Sequence, residues 1–320
     1  MAATRLSDVI VPEIFTPYTV QRTTELSNII QSGIAARSPE LNNLVSGGGS
    51  TFNLPYFNDL TGDAEVIIDN QALTVNSIST ERQVGVALNL AKSFGSSFLA
   101  QYVSGEDPMR VIGDQLAEYW VRQEQKILVN ILKSVFAATS DIYSSHVNDQ
   151  TTTAITANMM IDTVSKLGDA YGKLSAMVCH SAIYASLRKL NLIQYVTEPI
   201  LQPKTFPQFM GLDVIVDDGV EVTGAGPYSY RTYVFAQGAI SYGQAALDPA
   251  DATELDRDSL KSEDVLISRR RMIMHPNGFK WTGASMAGSS PTYAEMATAT
   301  NWDKVFDNKN IPMTCLISGV

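Results

Sequence analysis

The chain has 320 residues, of which 45% are hydrophobic and 18% are charged, and its formal net charge is −10. A chain of this length can bury one large core or two moderate ones, and the composition excludes wholesale disorder. The acidic balance disfavours binding along a nucleic-acid backbone, so any such contact would be local. The N-terminal residues lack a secretory pattern, and no segment approaches the ~20 apolar residues of a membrane span. We therefore expect a folded protein that stays in the cytoplasm.

The first forty or so residues are typical of an arm. The stretch 16–35 carries apolar residues at helical spacing, which predicts a helix whose apolar stripe needs a partner surface. Pro39 is expected to break the chain. The run Gly47-Gly48-Gly49 then predicts a hinge with little intrinsic preference for direction.

A long, mostly extended region follows, from Thr51 to about Ala91. Apolar residues alternate in two runs within it, namely Phe52, Leu54 and Tyr56, and then Val84, Val86, Leu88 and Leu90. This pattern predicts a hairpin with legs of about 15 to 20 residues, reaching on the order of 50 Å. Isolated two-stranded ribbons are marginally stable, so we expect the hairpin to lie on a neighbouring subunit.

The clearest helix begins where Asp107 can act as the cap and Pro108 as the first helical residue. Apolar residues recur along it at helical spacing, namely Ile112, Leu116, Tyr119, Trp120, Ile127, Ile131 and Val135, with an interruption around Gln123. Roughly thirty helical residues would form a rod of ~45 Å.

Helices and strands alternate in the second half of the chain. A helix is predicted after Thr156, a strand at Leu174–Cys179, a helix over 182–190, and strands within 211–218 and 230–243. A charged loop is expected from Asp248 to Asp264, and a strand from Val265 to Met274. These elements favour the α+β class.

The stretch MHPNGFKW begins at Met274 and contains one of the three histidines of the chain. Pro276 lacks an amide hydrogen to continue a strand, and Asn277-Gly278 is strong turn chemistry. Phe279 and Trp281 would share one face beyond the turn. The stretch therefore predicts a strand end and a reversal, with His275 in a minor role.

No residue cluster predicts catalysis, a metal site or a cofactor. Cys179-His180-Ser181 brings nucleophilic side chains together, but neighbours on a strand point to opposite faces, and triads assemble from distant positions. Instead, we expect His180 and Ser181 at the start of a helix. Cys179 and Cys315 lie in apolar runs that are typical of buried, reduced thiols. The three histidines lack metal-ligand spacing, and the carboxylates gather in the charged loop, where solvation is the default.

Arg269-Arg270-Arg271 is the main basic run. On a strand, Arg269 and Arg271 would lie on one face and Arg270 on the other. Arginine suits bidentate contacts with carboxylates or phosphates. In so acidic a chain we favour ion pairs, within the subunit or between subunits, over nucleic acid. The three arginines and the glycine hinge are thus candidate assembly residues.

The chain resembles the major capsid proteins of tailed bacteriophages, which have the shell-forming fold of the Hong Kong 97 type. Six segments in the expected order carry the resemblance, and they span nearly the whole chain. They are LSDVIVPEIFTPYTVQRTTE (6–25), STFNLPYFNDLTGDAEV (50–66), GEDPMRVIGDQLAEYWVRQEQKILVNIL (105–132), MVCHSAIYASLRK (177–189), MHPNGFKWTG (274–283) and NWDKVFDNKNIPM (301–313).

The resemblance implies a layout of arm, extended loop, peripheral domain and axial domain. The expected ranges are 1–50 for the arm, 51–91 for the extended loop, 92–139 for the peripheral domain with its spine helix, 140–250 for the axial domain, 251–290 for the return to the peripheral domain, and 291–320 for a C-terminal segment without a predicted place. It also implies hexamers and pentamers of a virion shell that encloses double-stranded DNA. A portal protein and, in some shells, a decoration protein would be further partners.

Two departures from the family pattern carry expectations. The prototype of the fold is locked by covalent bonds that need a lysine in the extended loop, whereas residues 58–91 contain none and Lys92 is the first. Covalent cross-links are therefore not expected. Fewer than fifty residues precede the glycine hinge, which favours a separate scaffolding protein over an internal scaffolding region.

An encapsulin-like compartment shell, which uses the same fold to hold cargo enzymes, is the nearest alternative. Sequence patterns separate the two poorly. A hydrolase using His180 or His275 is a third, much weaker possibility.

Overall fold

The computed structural model describes residues 34–60, 62–67, 69, 72–98, 108–197 and 205–320. Asp107, and all but the end of the predicted arm helix, lie outside these ranges. Within the described residues the strands are β1 (Ala35–Arg37), β2 (Thr51–Phe57), β3 (Thr80–Ser97), β4 (Val147–Ala154), β5 (Leu174–Cys179), β6 (Gln194–Thr197), β7 (Thr205–Phe209), β8 (Leu212–Val216), β9 (Val222–Thr223), β10 (Ser229–Ala236), β11 (Ile240–Gln244), β12 (Thr253–Asp258), β13 (Glu263–Pro276), β14 (Phe279–Trp281), β15 (Trp302–Lys304) and β16 (Met313–Gly319).

The α-helices are α1 (Pro39–Ser46), α2 (Pro108–Val135), α3 (Tyr143–His146), α4 (Ala157–Ser165), α5 (Ser181–Lys189), α6 (Pro249–Ala252) and α7 (Tyr293–Met296). Short 3₁₀ helices lie at Gly168–Lys173, Ala299–Asn301 and Asn308–Asn310. The predicted α+β class is confirmed. No helix in the described ranges is both long and apolar enough to cross a bilayer.

The strands form two main sheets. The six-stranded sheet has the order β1-β11-β13-β3-β2, and β12 also pairs with β13. The eight-stranded sheet has the order β4-β16-β10-β5-β8-β7-β6, with β9 paired to β10, and β14 and β15 form a small ribbon. β13 pairs antiparallel with β3 over eleven positions, so these two long strands form the centre of the six-stranded sheet.

The long helix α2 lies against the six-stranded sheet, close to its predicted bounds. Its C-terminal half contributes Ile127, Ile131 and Val135 to a core that also contains Met272 of β13 and Tyr233 of β10. This core therefore links the two sheets. Its N-terminal half packs Leu116 and Trp120 on Leu266 in a smaller cluster. The other face of the eight-stranded sheet is covered by α4 and α5.

Several local predictions are confirmed. β5 occupies the predicted range, and Thr156 caps α4 by accepting a hydrogen bond from the Met159 amide. The chain reverses at Asn277-Gly278, where Gly278 has φ +92°. Phe279 and Trp281 are both buried beyond this turn. The stretch MHPNGFKW is therefore a strand end and a turn.

Two predictions about breaks and loops are wrong. Pro39 begins helix α1, because proline is suited to the first helical position, where no amide hydrogen is needed. The charged stretch Asp248–Asp264 contains α6 and β12. β12 is an edge strand whose Glu254 and Asp256 are exposed while Thr253 is buried, and charged side chains are common on edge strands.

The predicted hairpin exists, but its paired part is shorter than expected. β2 pairs antiparallel with β3 from Thr51–Val86 to Phe57–Thr80, which is seven positions. β3 then continues to Ser97, where its partner is β13. The described residues between 58 and 79 form no strand.

The C-terminal segment, which had no predicted place, inserts into the eight-stranded sheet. β16 pairs antiparallel with β10 and parallel with β4. All seven residues of β16 are buried. The end of the chain therefore completes the core of this sheet.

Candidate assembly surfaces

Within the expected range 51–91, the stretch between β2 and β3 is residues 58–79, and the described residues of this extended loop expose several apolar side chains. Among them, Val75 is 95% exposed and Ile67 is 83% exposed. The others are Leu60, Val66, Leu73 and Ile78. Soluble subunits rarely expose so many large apolar side chains together unless the surface binds a partner.

The two legs of the extended loop are opposed at two places. The Asn58 amide donates to the Ser79 carbonyl oxygen at 3.0 Å. Further out, the Thr74 amide donates to Glu65 Oε2 at 3.0 Å. Hydrogen bonds from Thr74 lower the pKa of Glu65, which stabilises its charged form. The loop thus holds a local shape while its apolar side chains face solvent.

The base of the loop is fixed against the body of the subunit. The ring of Tyr56 meets that of Phe306 edge to face, with centroids 4.8 Å apart. The Tyr56 hydroxyl donates to Glu81 at 2.9 Å, and burial together with Glu81 raises the pKa of Tyr56 to about 12. On the other side, Gln83 Oε1 lies 3.2 Å from both His275 Nε2 and the Gly278 amide. The turn at Asn277-Gly278 therefore supports the loop base.

The glycine run occupies the turn between α1 and β2. Gly47 caps α1 with its amide, in a helical conformation. Gly48 and Gly49 have φ angles of +93° and +88°, in the positive-φ region that residues other than glycine rarely adopt. The Gly49 carbonyl accepts a hydrogen bond from Arg271 Nη2. The structure therefore joins two features that the sequence predicted separately, the glycine run and the arginine run.

The three arginines have different surroundings, with the predicted alternation of faces. Arg270 is buried and its Nη1 lies 2.7 Å from Glu124 Oε1 of α2, while its guanidinium stacks 4.9 Å from the Trp120 ring. Arg269 is half-exposed, pairs with Glu254 at 2.8 Å and donates to the Asp251 carbonyl. Arg270 therefore ties the spine helix to the sheet, whereas Arg269 lies at the surface.

Glu124 was not among the predicted site residues. Burial raises its pKa, and the positive charge of Arg270 opposes that rise. The sequence does indicate that Glu124 is buried, because it follows Leu116 and Trp120 at four-residue spacing and so lies on the apolar stripe of α2. A carboxylate on a buried stripe and an arginine in an apolar strand predict a buried pair.

The residues with nucleophilic or metal-binding side chains have structural surroundings. His180 lies at the start of a helix, as predicted, and its Nδ1 accepts a hydrogen bond from the Ala182 amide and so caps α5. Cys179 and Cys315 are both buried, and burial raises the pKa of each thiol to about 12. In the described ranges, no three His, Cys, Asp or Glu side chains are grouped to hold a metal ion.

Comparisons with known proteins give a consistent result. A family model described as "Major capsid protein 13-like" matches residues 63–312. The major capsid protein of Bacillus phage SPP1 is 41% identical over 318 residues, which is 97% of each chain.

Solved structures show the same fold at low sequence identity. The capsid of Ralstonia phage GP4 aligns with a TM-score of 0.61 and 8% identity, over 90% of this chain and 87% of that one. The capsid of cyanophage Pam1 aligns with a TM-score of 0.55 and 10% identity, over 89% and 88%. These two likenesses concern the fold.

Proposed function

Because the chain belongs to the family of phage major capsid proteins, we propose that it assembles into hexamers and pentamers of an icosahedral shell that encloses double-stranded DNA. As a major capsid protein it forms the capsid of a virion. The encapsulin-like alternative is not favoured, because the family and its 41% identical relative are phage proteins. A catalytic function is not proposed.

The exposed extended loop is the observation that carries this proposal. A row of apolar side chains with Val75 at 95% exposure is costly in water, at roughly 25 cal/mol per Å² of apolar surface. Its base is fixed by Tyr56 and Gln83, so the subunit presents the loop in a defined place. A neighbouring copy is the partner that every subunit of a shell has. We therefore propose that each loop lies on the adjacent subunit.

The two sheets support a division into a peripheral and an axial domain, with one change of bounds: β11, inside the expected axial range 140–250, pairs with β13 and would belong to the peripheral domain. The six-stranded sheet with α2 would be the peripheral domain, and the eight-stranded sheet with α4 and α5 the axial domain. Because β16 pairs with β10 and β4, the C-terminal segment would belong to the axial domain. β3 and β13 are the long central strands of the peripheral sheet. The extended loop, which leads into β3, would therefore belong to the same rigid unit as this sheet.

The candidate assembly residues would act in two ways. Gly48 and Gly49 would let the loop strand leave α1 at the required angle, and Arg271 would hold that angle through the Gly49 carbonyl. Arg269 is available for a neighbouring subunit because its ion pair with Glu254 is exposed and weak. Arg270 would contribute to assembly indirectly, because its pair with Glu124 holds α2 on the sheet within the subunit. Without a lysine in residues 58–91, the shell would be held by non-covalent contacts.

The remaining partners are proposals that follow from the shell. A separate scaffolding protein would direct assembly, because exposed apolar loops also permit irregular association. The net charge of −10 suits weak, non-specific contact with packaged DNA. A portal protein would occupy one vertex, and a decoration protein could bind the outer surface.

Electron microscopy of the expressed chain tests the shell. We expect closed particles of uniform size when the chain is co-expressed with its scaffolding protein, and irregular or open particles from the chain alone. Uniform particles from the chain alone would contradict the need for a scaffold. A chain that stays monomeric under all these conditions would contradict the shell itself.

A further inference from the structure

The six-stranded sheet has a gap beside the arginine run. β12 pairs with the outer edge of β13 up to Ser268, and β11 pairs with the same edge from Met272 onward. The Ala245 amide still bonds to the Arg271 carbonyl, so Arg269 and Arg270 lie in the gap between these two registers, where residues 246–252 leave the sheet. A cavity of 340 Å³ opens at this gap. Arg269 and Arg270 of the basic run therefore line a cavity, whose place results from the change of partner strand.

The cavity carries an excess of positive charge. Its guanidinium groups belong to Arg37 of β1, Arg269 and Arg270. The carboxylates paired with them are Glu124 and Glu254, so three cations face two anions. Among the described residues, no carboxylate lies within the 4 Å of an ion pair from Arg37. Its guanidinium instead stacks 5.4 Å from the Tyr242 ring and is exposed. The positive charge of Arg37 also favours the ionised form of the more distant Glu124 carboxylate, which Arg270 contacts directly, so this charge is only partly balanced at the mouth of the cavity.

The lining also offers polar groups that suit a small anionic side chain. Thr253 and Ser268 are buried at 5% and 4% exposure, and Ser268 Oγ accepts from the Trp120 indole at 3.0 Å. A cavity of this volume admits a carboxylate side chain. A DNA duplex, about 20 Å wide, can touch only its mouth, and the net charge of −10 opposes such contact. The planar guanidinium fork also matches a carboxylate.

The extended loop is the acidic, exposed segment that can supply this carboxylate. Residues 58–79 contain Asp59, Asp63, Glu65 and Asp69 and no lysine or arginine. Glu65 is engaged by Thr74, and Asp59 accepts from the Leu60 amide. Asp63 and Asp69 are exposed and suited to an external partner.

The loop of the same subunit does not occupy the cavity. Asp63 and Asp69 are exposed, and among the described residues neither forms an ion pair with Arg37, Arg269 or Arg270. Arg269 lies opposite Ala91 of β3, eleven residues beyond Thr80, where β3 begins, and this separation is about 36 Å at ~3.3 Å per residue. Asp63 is six residues from Phe57, which allows at most about 21 Å, so it cannot reach Arg269 in its own subunit. A carboxylate of another copy is therefore the better fit.

We propose that the cavity beside Arg269–Arg271 is a seat for a carboxylate of the extended loop, Asp63 or Asp69, of a neighbouring copy. This inference rests on the proposed shell function, since it names the surface that receives the loop. Arg37 forms the new ion pair, and Arg269 can join it by leaving its exposed pair with Glu254. The seat fixes the register of the loop on its neighbour, while the apolar side chains supply most of the buried area.

A binding measurement tests the seat without requiring a shell. The probes are a fluorescent peptide of residues 58–79 and a 20-bp DNA duplex, each titrated against the unassembled chain and its Arg37→Glu variant. We expect the peptide to bind the variant about tenfold more weakly and the duplex to show no comparable change. Arg122→Glu, a reversal at an exposed arginine of α2 outside the cavity, should leave peptide binding unchanged. Equal peptide binding to the chain and to Arg37→Glu, or a loss confined to the duplex, overturns the proposal.

A charge exchange then identifies the carboxylate. Arg37→Glu should lower the yield of closed particles, and Asp63→Arg or Asp69→Arg should restore it in combination with Arg37→Glu. Thermal unfolding of each subunit separates lost assembly from lost folding. Failure of both exchanges, with wild-type shells forming normally, contradicts the seat. Failure of the wild type to form shells contradicts the proposed function instead, while the peptide result still decides on the cavity.

Discussion

The extended loop and the C-terminal strand β16 are both rich in apolar residues, but they have opposite surroundings. Every residue of β16 is buried, and Leu316 and Cys315 have no exposed surface. In the loop, Val75 and Ile67 are more than four-fifths exposed. One apolar segment completes the core of its own subunit, whereas the other is exposed on the single subunit and, under the proposed function, would be covered by a neighbour. Apolar composition therefore predicts burial, but it does not predict which chain provides the covering surface.

The difference follows from backbone pairing. β16 has a partner strand on each side, so its amides and carbonyls are satisfied and its side chains lie in two clusters. The loop has hydrogen bonds between its own legs, such as that from Thr74 to Glu65, and no flanking strand in the described residues. An added surface is needed to cover it. This contrast predicts that mutations in β16 reduce subunit stability, whereas those at the loop tip reduce assembly.

The largest effect is expected from truncating a side chain of β16. Leu316→Ala leaves a cavity beneath α4 and α5 and should lower the free energy of unfolding by about 2–5 kcal/mol. Urea denaturation of the unassembled subunit measures this loss. Val320→Ala, at the 55% exposed end of the chain, is the control and should change stability by less than about 0.5 kcal/mol. A loss below about 1 kcal/mol for Leu316→Ala would contradict a core role for β16.

The loop base should respond to pH, unlike the tip. Burial lowers the pKa of His275, which contacts Gln83 at the loop base, to about 4, whereas the unfolded chain titrates near 6.5. Between these values the unfolded state binds more protons, so stability falls as the pH drops from about 6.5 to 4. The contribution to the free energy of unfolding amounts to about 3 kcal/mol.

His275→Gln isolates this contribution, because glutamine does not titrate. Urea denaturation at a series of pH values should show a shallower acid loss for the variant than for the wild-type subunit. Parallel curves between pH 7 and 4 would show that His275 is not held neutral. Val75→Ala, at an exposed position of the loop away from its base, should leave the wild-type pH dependence unchanged.

The sequence predicts the elements better than their partners. The β5 strand, the α4 cap and the stripe of α2 are local patterns, and all three are confirmed. The apolar stripe of α2 also includes Glu124, and a carboxylate at a buried position predicts a buried, positively charged partner. The place of β16 could not be predicted, because its neighbours β4 and β10 lie about 160 and 80 residues earlier, and apolar composition does not select among strands.

Two features were not predicted from the sequence: the strand β12, because of its acidic residues, and the contact of the glycine turn with Arg271, because it is non-local. In β12 the alternation of Thr253 and Leu255 is present, but its acidic neighbours favoured the interpretation as a loop. The contact from Arg271 to Gly49 joins residues far apart in the chain, so the two candidate features appeared independent. The pairing of β12 and the contact between Arg271 and Gly49 both depend on tertiary structure, which neither hydrophobic periodicity nor amino-acid composition reveals.

A smaller effect is expected at the turn that leads into the loop strand. Gly48 has φ +93°, and a Cβ added there would have no atom within 4 Å, so Gly48→Ala tests backbone conformation alone. The unfavourable conformation should lower the free energy of unfolding by about 1–2 kcal/mol. Gly47→Ala is the matched control, because Gly47 has φ −74° and should tolerate alanine. Equal effects of the two substitutions, measured by urea denaturation, would argue against a special conformation at Gly48.

The smallest effect on the subunit, and a large one on assembly, is expected at Val75. Val75→Asn removes an apolar side chain that is 95% exposed, so the free energy of unfolding should change by less than about 0.5 kcal/mol. If the loop lies on the adjacent subunit, as proposed, this side chain is covered in the shell, and the yield of closed particles measured by sedimentation should fall. Val75→Ile keeps the apolar character and should assemble normally. If Val75→Asn instead destabilises the isolated subunit by more than about 1 kcal/mol, the loop packs on its own chain, and its contrast with β16 disappears.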